Sequence, residues 1–505
     1  MDYCYIKVKY LLLPSVLATG FFAVVLFAAE GPDRAQRTGA CDGCTGDFFA
    51  GLDAMVTERM RAYDIPGVNL AVLRRGKIVR MKAYGMADRS SAAPMALTSL
   101  FRVESLSKSV TAWGVMYWSE RGRIDLDAPL AARLRELPAP RGGSPATAVT
   151  ARQLLSHTAG LPLGDFSSRY DPAGSVPSLR GTLMEAARPV RTPGAGFSYS
   201  NTGYDLLELL IEEVSGARFS DFMRREILLP LGMASATFDW SSDMRHRIPA
   251  AYDLQGDRVP LYVHPGRGSG GLFATVEDMA HFLQAGMSRE YRSAHGVLTG
   301  ASIRRMYEPQ TEPGGLMGWV AASYGLGFFL EPAGDGPQVV WNGGQGTGWM
   351  AHVHFVPETG DGIVLLANSQ RAWPLFAHVL RTWSRWVGIP TVGMARLTTI
   401  ILALQILMVL VLTLAGFRLL WTGHALVTGR RVFVPLAEGQ RLSRCLQGLA
   451  ALSLLCLLLW ERSRDYLFIW SVVPHLMGWL ELAVLALALS FALAALTPRK
   501  EPGRR

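Results

Sequence analysis

Residues 105–121 read SLSKSVTAWGVMYWSER, a stretch with no charged residue between Lys108 and Glu120, which predicts a buried helix. On a helix, positions i and i+3 share a face, so the Ser105 hydroxyl and the Lys108 amine can meet. A serine hydroxyl is a weak nucleophile until a neighbouring base takes its proton. Lysine can be that base because burial makes it release its proton, whereas arginine stays charged. A helix N-terminus adds free N–H groups and the positive end of the macrodipole, both suited to a developing oxyanion. The chain has 44 arginines against 6 lysines, so a lysine here is informative. By itself S-x-x-K is weak: 33 serines and 6 lysines in 505 residues give about 0.4 matches by chance, and the alternative is a helix-surface pair.

Two later segments carry the groups such a pair needs. In Tyr199-Ser200-Asn201, a tyrosine near the lysine can pass a proton to a leaving group, and Asn201 can hold the lysine in place. With 15 tyrosines and 4 asparagines, Y-x-N has about 0.1 chance matches. The alternative is a loop tyrosine packed on the helix that follows. Trp341-Asn342-Gly343-Gly344-Gln345-Gly346 sets small residues where a substrate backbone can approach and an exposed N–H can face an oxyanion. Taken alone it is a glycine-rich turn.

Outward from these motifs the middle of the chain reads as one mixed α/β domain. Asp47–Tyr63 has helical periodicity, and Val68–Leu73 with Ile78–Tyr84 flank Arg-Arg-Gly-Lys, a hairpin signal. Much of 150–285 is helical, and strand signals return at Tyr324–Leu330, Val339–Trp341, Met350–Val356 and Gly362–Ala367. Strands at both ends with helices between predict a sheet interrupted by a helical lobe.

The composition points to a membrane. Half the residues are hydrophobic and 18% are charged, which excludes disorder and argues against a purely soluble protein. Of the net charge of +9, residues 391–505 hold a surplus of 7 (12 Lys/Arg against 5 Asp/Glu), so the basicity flanks apolar runs and is no nucleic-acid footprint. Residues 1–29 read as a signal peptide or an uncleaved signal anchor, and 30–46 as a linker to an exported domain at 47–390. Residues 397–417, 445–460 and 476–496 read as three transmembrane helices, and 497–505 as a basic cytoplasmic tail. The basic loop between the first two spans and the basic tail place 30–395 outside the cytoplasm of a multi-pass inner-membrane protein. Glu481 and Gln405, within the spans, read as helix-contact or near-surface residues. Five cysteines are too few for a disulfide scaffold, and Cys41-x-x-Cys44 reads as a tight disulfide or two idle thiols. The expected partners are a small-molecule or short peptide substrate and the lipid bilayer. A membrane transporter, or self-association through the spans, is a further expectation, and nucleic acid is not.

The order S-x-x-K, Y-x-N, glycine-rich strand resembles the penicillin-recognising serine hydrolases of class C β-lactamase type, a group with DD-peptidases, D-aminopeptidases and esterases. The likeness continues through AWGVMYWSERGRIDLDAPL (112–130), LLSHTAGLP (154–162), GGLFATVEDMAHFL (270–283) and 324–328, and runs from about 47 to 385. It implies a β-lactamase/transpeptidase-like α/β fold: an antiparallel sheet flanked by helices, plus a helical lobe. It implies Ser105, Lys108 and Tyr199 as catalytic residues, Asn201, Asn342, Gly343, Gly344 and Gln345 as supporting or substrate-binding ones, Ser105 and Gln345 N–H groups as the oxyanion hole, and no cofactor or metal. His157 is implied to be a structural loop residue. The departure is Asn342, where the group usually has Lys or His; a neutral amide offers a substrate carboxylate no cation unless His264, His352 or an arginine compensates. An exported hydrolase followed by three spans is similar to the membrane-bound prodrug-activating D-peptidases of nonribosomal peptide pathways. The function expected is a Ser-Lys-Tyr acyl-enzyme peptidase or amidase on a D-amino-acid-containing or N-acylated peptide. The alternatives are a β-lactamase or esterase on the same fold, or a non-catalytic membrane sensor.

Overall fold

The computed structural model describes residues 45–130, 133–134, 149–165, 168–332, 336–433, 441–463, 468–474 and 476–500. The expected leader, nearly all of the linker, Cys41, Cys44 and the last five residues of the basic tail lie outside these. The chain divides into two compact units at Arg396/Leu397.

The first unit is built on an eight-stranded sheet in which every neighbouring pair is antiparallel. Its strands are β1 (Gly67–Arg74), β2 (Lys77–Asp88), β3 (Ala93–Pro94), β4 (Ser323–Tyr324), β5 (Phe329–Glu331), β6 (Val339–Gly346), β7 (Trp349–Val356) and β8 (Asp361–Ala367), in spatial order β3-β2-β1-β8-β7-β6-β5-β4. The central strands β7 and β8 are buried at every residue, which requires cover on both faces. One face takes α1 (Thr45–Ala62) and α5 (Trp373–Val387); the other takes α2 (Leu106–Glu120) and α4 (Val276–Met287). Between β3 and β4 the chain forms the helical lobe, whose main helix is α3 (Asn201–Ser215). That helix starts where the Ser200 hydroxyl caps the Gly203 N–H at 3.0 Å and ends at Gly216, whose φ of +67° suits glycine.

Two strand expectations are corrected. The strand expected over 339–341 runs on through the glycine-rich motif to Gly346 as β6, paired with β7 through Gly346↔Trp349, so the motif is the glycine-rich strand of the resemblance and not the turn it would be when taken alone. The expected strand over 324–330 is two short strands, β4 and β5, separated at Gly327 (φ +91°).

The second unit contains three helices long and apolar enough to cross a membrane among the described residues: α6 (Leu397–Val427), α7 (Arg441–Arg462) and α8 (Met477–Leu496). All three run past or close to the expected spans, α6 by ten residues. Their polar side chains pair with one another. Arg418 Nε donates to Ser490 Oγ at 3.2 Å, and Arg462 meets Glu481 at 2.7 Å, a helix-contact role for Glu481.

Candidate active site

From Phe101 to Met116 every residue is buried except Ser105. Ser105 stands at the N-cap of α2, yet its hydroxyl makes no capping hydrogen bond, so the oxygen is left for other work. Glu104, immediately before it, has φ +50°, a left-handed conformation that is uncommon for a residue with a side chain and turns the chain sharply into the helix. One helical turn on, Lys108 is 0% exposed. Its Nζ donates to Ser105 Oγ at 3.0 Å and to the Ser269 carbonyl at 2.6 Å, and it lies 5.0 Å from the Tyr199 ring centre and 5.8 Å from that of Tyr204. Among the described residues no carboxylate forms an ion pair with it. The structure thus brings Ser105, Lys108 and the half-buried Tyr199 together, although 91 residues separate Lys108 from Tyr199.

The loop 267–272 is bound residue by residue. Glu208 on α3 accepts the Arg267 and Gly268 N–H groups at 2.6 Å each; Thr111 donates to Gly268 O, Lys108 to Ser269 O and Arg102 to Gly270 O; Ser107 Oγ accepts the Leu272 N–H at 3.0 Å. Burial, with the Asp205 charge nearby, pushes the Glu208 carboxyl up to about 8. Burial likewise pushes Asp205 up to about 6, against the favourable influence of Ser269 and Lys108. Arg102 is buried with Glu104 (Nε to Oε1, 2.9 Å), which also accepts the Tyr262 hydroxyl at 3.1 Å. Burial opposes the Arg102 charge, but Glu104 and Tyr262 together outweigh it and hold the guanidinium above its ordinary value.

His157 is fully buried with its ring 4.3 Å from that of Tyr199, and its Nδ1 accepts the Ser200 N–H at 3.1 Å. That bond makes Nδ1 the unprotonated nitrogen, and burial with the Lys108 charge holds the ring well below its ordinary pKa. It thereby holds the backbone at Ser200, next to Tyr199.

The third motif behaves differently from expectation. Side chains alternate across a strand, so Asn342 and Gly344 face α2 while Gly343 and Gln345 face α5. Asn342 is 1% exposed, and its Nδ2 donates to Ser109 Oγ at 2.8 Å and Gly327 O at 3.2 Å. It is a clip beneath the site, with no amide left for a substrate. A Cβ on Gly344 would lie 2.0 Å from Val103 O and 3.1 Å from Ser105 N, so only glycine lets β6 run beside the nucleophile. The Gln345 side chain accepts from Trp373 Nε1 at 2.8 Å on the far face, and Gly343 there meets Trp373 and His352. Asn201 makes no bond to Lys108; the Ser269 carbonyl has that part. Nor does a histidine compensate for Asn342. His352 lies on the far face against His354 Nδ1 at 2.6 Å, and His264 is held below its ordinary pKa by burial and by Arg102. Sequence reading missed Ser269, Arg102, Glu104, Asp205 and Glu208. Only the glycines around Ser269 hinted at it, since a carbonyl has no letter in the sequence. Among the described residues no group of three or more His, Cys, Asp or Glu is arranged to hold a metal ion.

Residues 52–378 match the family model for Beta-lactamase. Protein flp of Staphylococcus aureus (strain MRSA252) is 24% identical over 337 residues, 64% of this chain. The chain spans 64% of the length of that relative. The crystal structure of SurE with D-Leu is 26% identical, with a TM-score of 0.57 over 68% of this chain and 76% of that one. An octameric penicillin-binding protein homologue from Pyrococcus abyssi, 24% identical with a TM-score of 0.56, shares the fold over 64% of this chain and 73% of its own. The chain belongs to the beta-lactamase family, the group of serine hydrolases and penicillin-binding proteins that its motifs resemble.

Proposed function

We propose that this protein is a membrane-anchored serine hydrolase that cleaves an amide through an acyl-enzyme. The carrying observation is the 3.0 Å bond between the wholly buried Lys108 amine and the hydroxyl of Ser105, the one residue of its stretch open to solvent. Lys108 in its neutral form takes the Ser105 proton as Oγ attacks the carbonyl carbon. The Ser105 N–H at the start of α2, with that of Gln345 on β6, stabilises the oxyanion. Tyr199, beside the lysine, gives a proton to the departing amine and regains one from Lys108. Water then attacks the ester by the reverse relay, and the acid is released.

Two observations support a D-configured or N-acylated peptide over a penicillin. SurE, a neighbour above a quarter identity, was crystallised with D-Leu. With Asn342 buried, this site also has no cation on β6 for the carboxylate of a lactam or a D-Ala-D-Ala end. The arginines after the first and third apolar helices favour a hydrolase unit on the periplasmic side.

The test is intact-mass spectrometry of the full chain with a fluorophosphonate probe, beside Ser105→Ala. A single adduct lost in the variant supports the reading, and N-acyl-D-amino amides turned over faster than their L forms support the substrate class. A folded wild type that takes no adduct from probes of several sizes overturns it in favour of a binding role. Fast hydrolysis of a chromogenic lactam overturns the substrate class alone.

A further inference from the structure

The hydrolase unit covers its aromatic rings. Among the described residues from 45 to 396, Trp319 is the one Trp, Tyr or Phe left exposed, at 51%. It ends the short turn Gly315–Trp319, and that turn is fastened to the last residues of the unit. Arg396 Nη1 donates to Trp319 O at 3.1 Å, and Gly393 packs so tightly that a Cβ there would lie 2.3 Å from Val320 O. The residue after Arg396 is Leu397, the first of α6. No charged residue follows until Arg418. The 21 residues Leu397–Phe417 rise about 31 Å as a helix, which is the thickness of a hydrocarbon core. Arg396 and Arg418 therefore bracket the apolar span, one at each headgroup level. By covalent continuity, a turn hydrogen-bonded to Arg396 lies at that level too.

We propose that residues 313–320 form a membrane-facing foot, with the Trp319 indole seated in the headgroup layer that α6 enters. The indole suits that layer, an apolar ring with one N–H to bond. The proposal rests on reading α6 as a membrane span. The foot is a second attachment beside the chain itself.

The test uses the full chain with its five native cysteines replaced by serine, reconstituted in phosphatidylcholine–phosphatidylglycerol vesicles, with the fluorophore NBD on a single new cysteine. Trp319→Cys, and Met317→Cys on the same turn, are read beside Leu410→Cys in α6 and Val190→Cys, an exposed position elsewhere on the hydrolase unit (67%). A cooperative melt establishes that each is folded. The expected result at 319 is blue-shifted emission and loss of intensity with lipids nitroxide-labelled near the headgroup, neither at 190, and quenching at 410 by nitroxides deep in the acyl chains. Water-like emission at both 317 and 319 with quenching at 410 overturns the foot and leaves the span. No quenching at 410 overturns the span and the foot with it. Equal quenching at 190 and 319 overturns the foot as general adsorption.

Discussion

Two cations stand within six residues of each other on either side of the nucleophile, and the fold treats them oppositely. Arg102 and Lys108 are both wholly buried, at 1% and 0% exposure, and donate to adjacent carbonyls of one loop, Gly270 O and Ser269 O. Arg102 also has a carboxylate, Glu104, and lies over the Tyr262 ring. Lys108 has a hydroxyl and aromatic faces in place of the carboxylate. A buried charge paired with an opposite charge stays charged and builds structure. A buried amine whose partner is an alcohol is placed to exchange a proton with it. What separates the two is one carboxylate at ion-pair distance: Arg102 has Glu104, whereas Asp205 and Lys108 influence each other without forming an ion pair.

The largest effect should come from making the second cation like the first. Lys108→Arg cannot release its proton and is expected to slow fluorophosphonate labelling of Ser105 by about 10²–10⁴-fold. A rate within a few-fold of wild type would show that Lys108 is not the base. Glu104→Gln leaves Arg102 buried without its partner and should cost about 3–5 kcal/mol in chemical denaturation, while Arg102→Met with Glu104→Leu recovers most of it. If Glu104→Gln melts like wild type, the pair is no scaffold. Tyr199→Phe should lower kcat/KM on an amide by about 10²-fold with an unchanged melting temperature, which separates proton delivery from packing.

Smaller effects probe what surrounds the two. Asn342→Ala removes the clip to Ser109 and Gly327 and should cost about 1–3 kcal/mol, and Asn342→Lys should destabilise further without improving turnover of substrates with a free carboxylate. A gain with such substrates would return this position to the binding site. The acid beneath the loop sets a pH dependence. The Glu208 carboxyl is pushed up to about 8 from 4.5, so between those values the folded state holds a proton that the unfolded chain has lost. Its contribution is full below pH 4.5 and lost as pH rises through 8. Thermal melts from pH 5 to 9 should show stability falling, and Glu208→Gln should flatten the fall.

What could be read from the letters follows who makes each contact. Ser105 and Lys108 were legible because the pair is local, three residues apart on a helix whose burial shows in the uncharged run between Lys108 and Glu120. The sheet-and-lobe plan was legible from β1, β7 and β8, whose residues are mostly apolar, and from the turn residues that join β1 to β2. That β6 runs on through Gly343–Gly346 came from the resemblance and not from composition, since glycine has no strand preference and the ladder there is imposed by β7. Asn342 was placed at the site by its rank in a motif, but its partners lie 233 residues earlier at Ser109 and 15 earlier at Gly327, and nothing local announces either. Arg102 and Glu104 stand just before the nucleophile in plain view. Their pairing needed Tyr262 and Gly270 to become visible.

The lysine's anchor, the Ser269 carbonyl, belongs to the main chain, and no codon change deletes it. The Ser269 side chain is less free than its carbonyl, because it hydrogen-bonds the buried Asp205. Replacing that side chain would cost Asp205 a partner and leave in place the carbonyl that holds Lys108. The position of the amine is thus written in the path of the main chain, and the comfort of the acid beside it in a side chain.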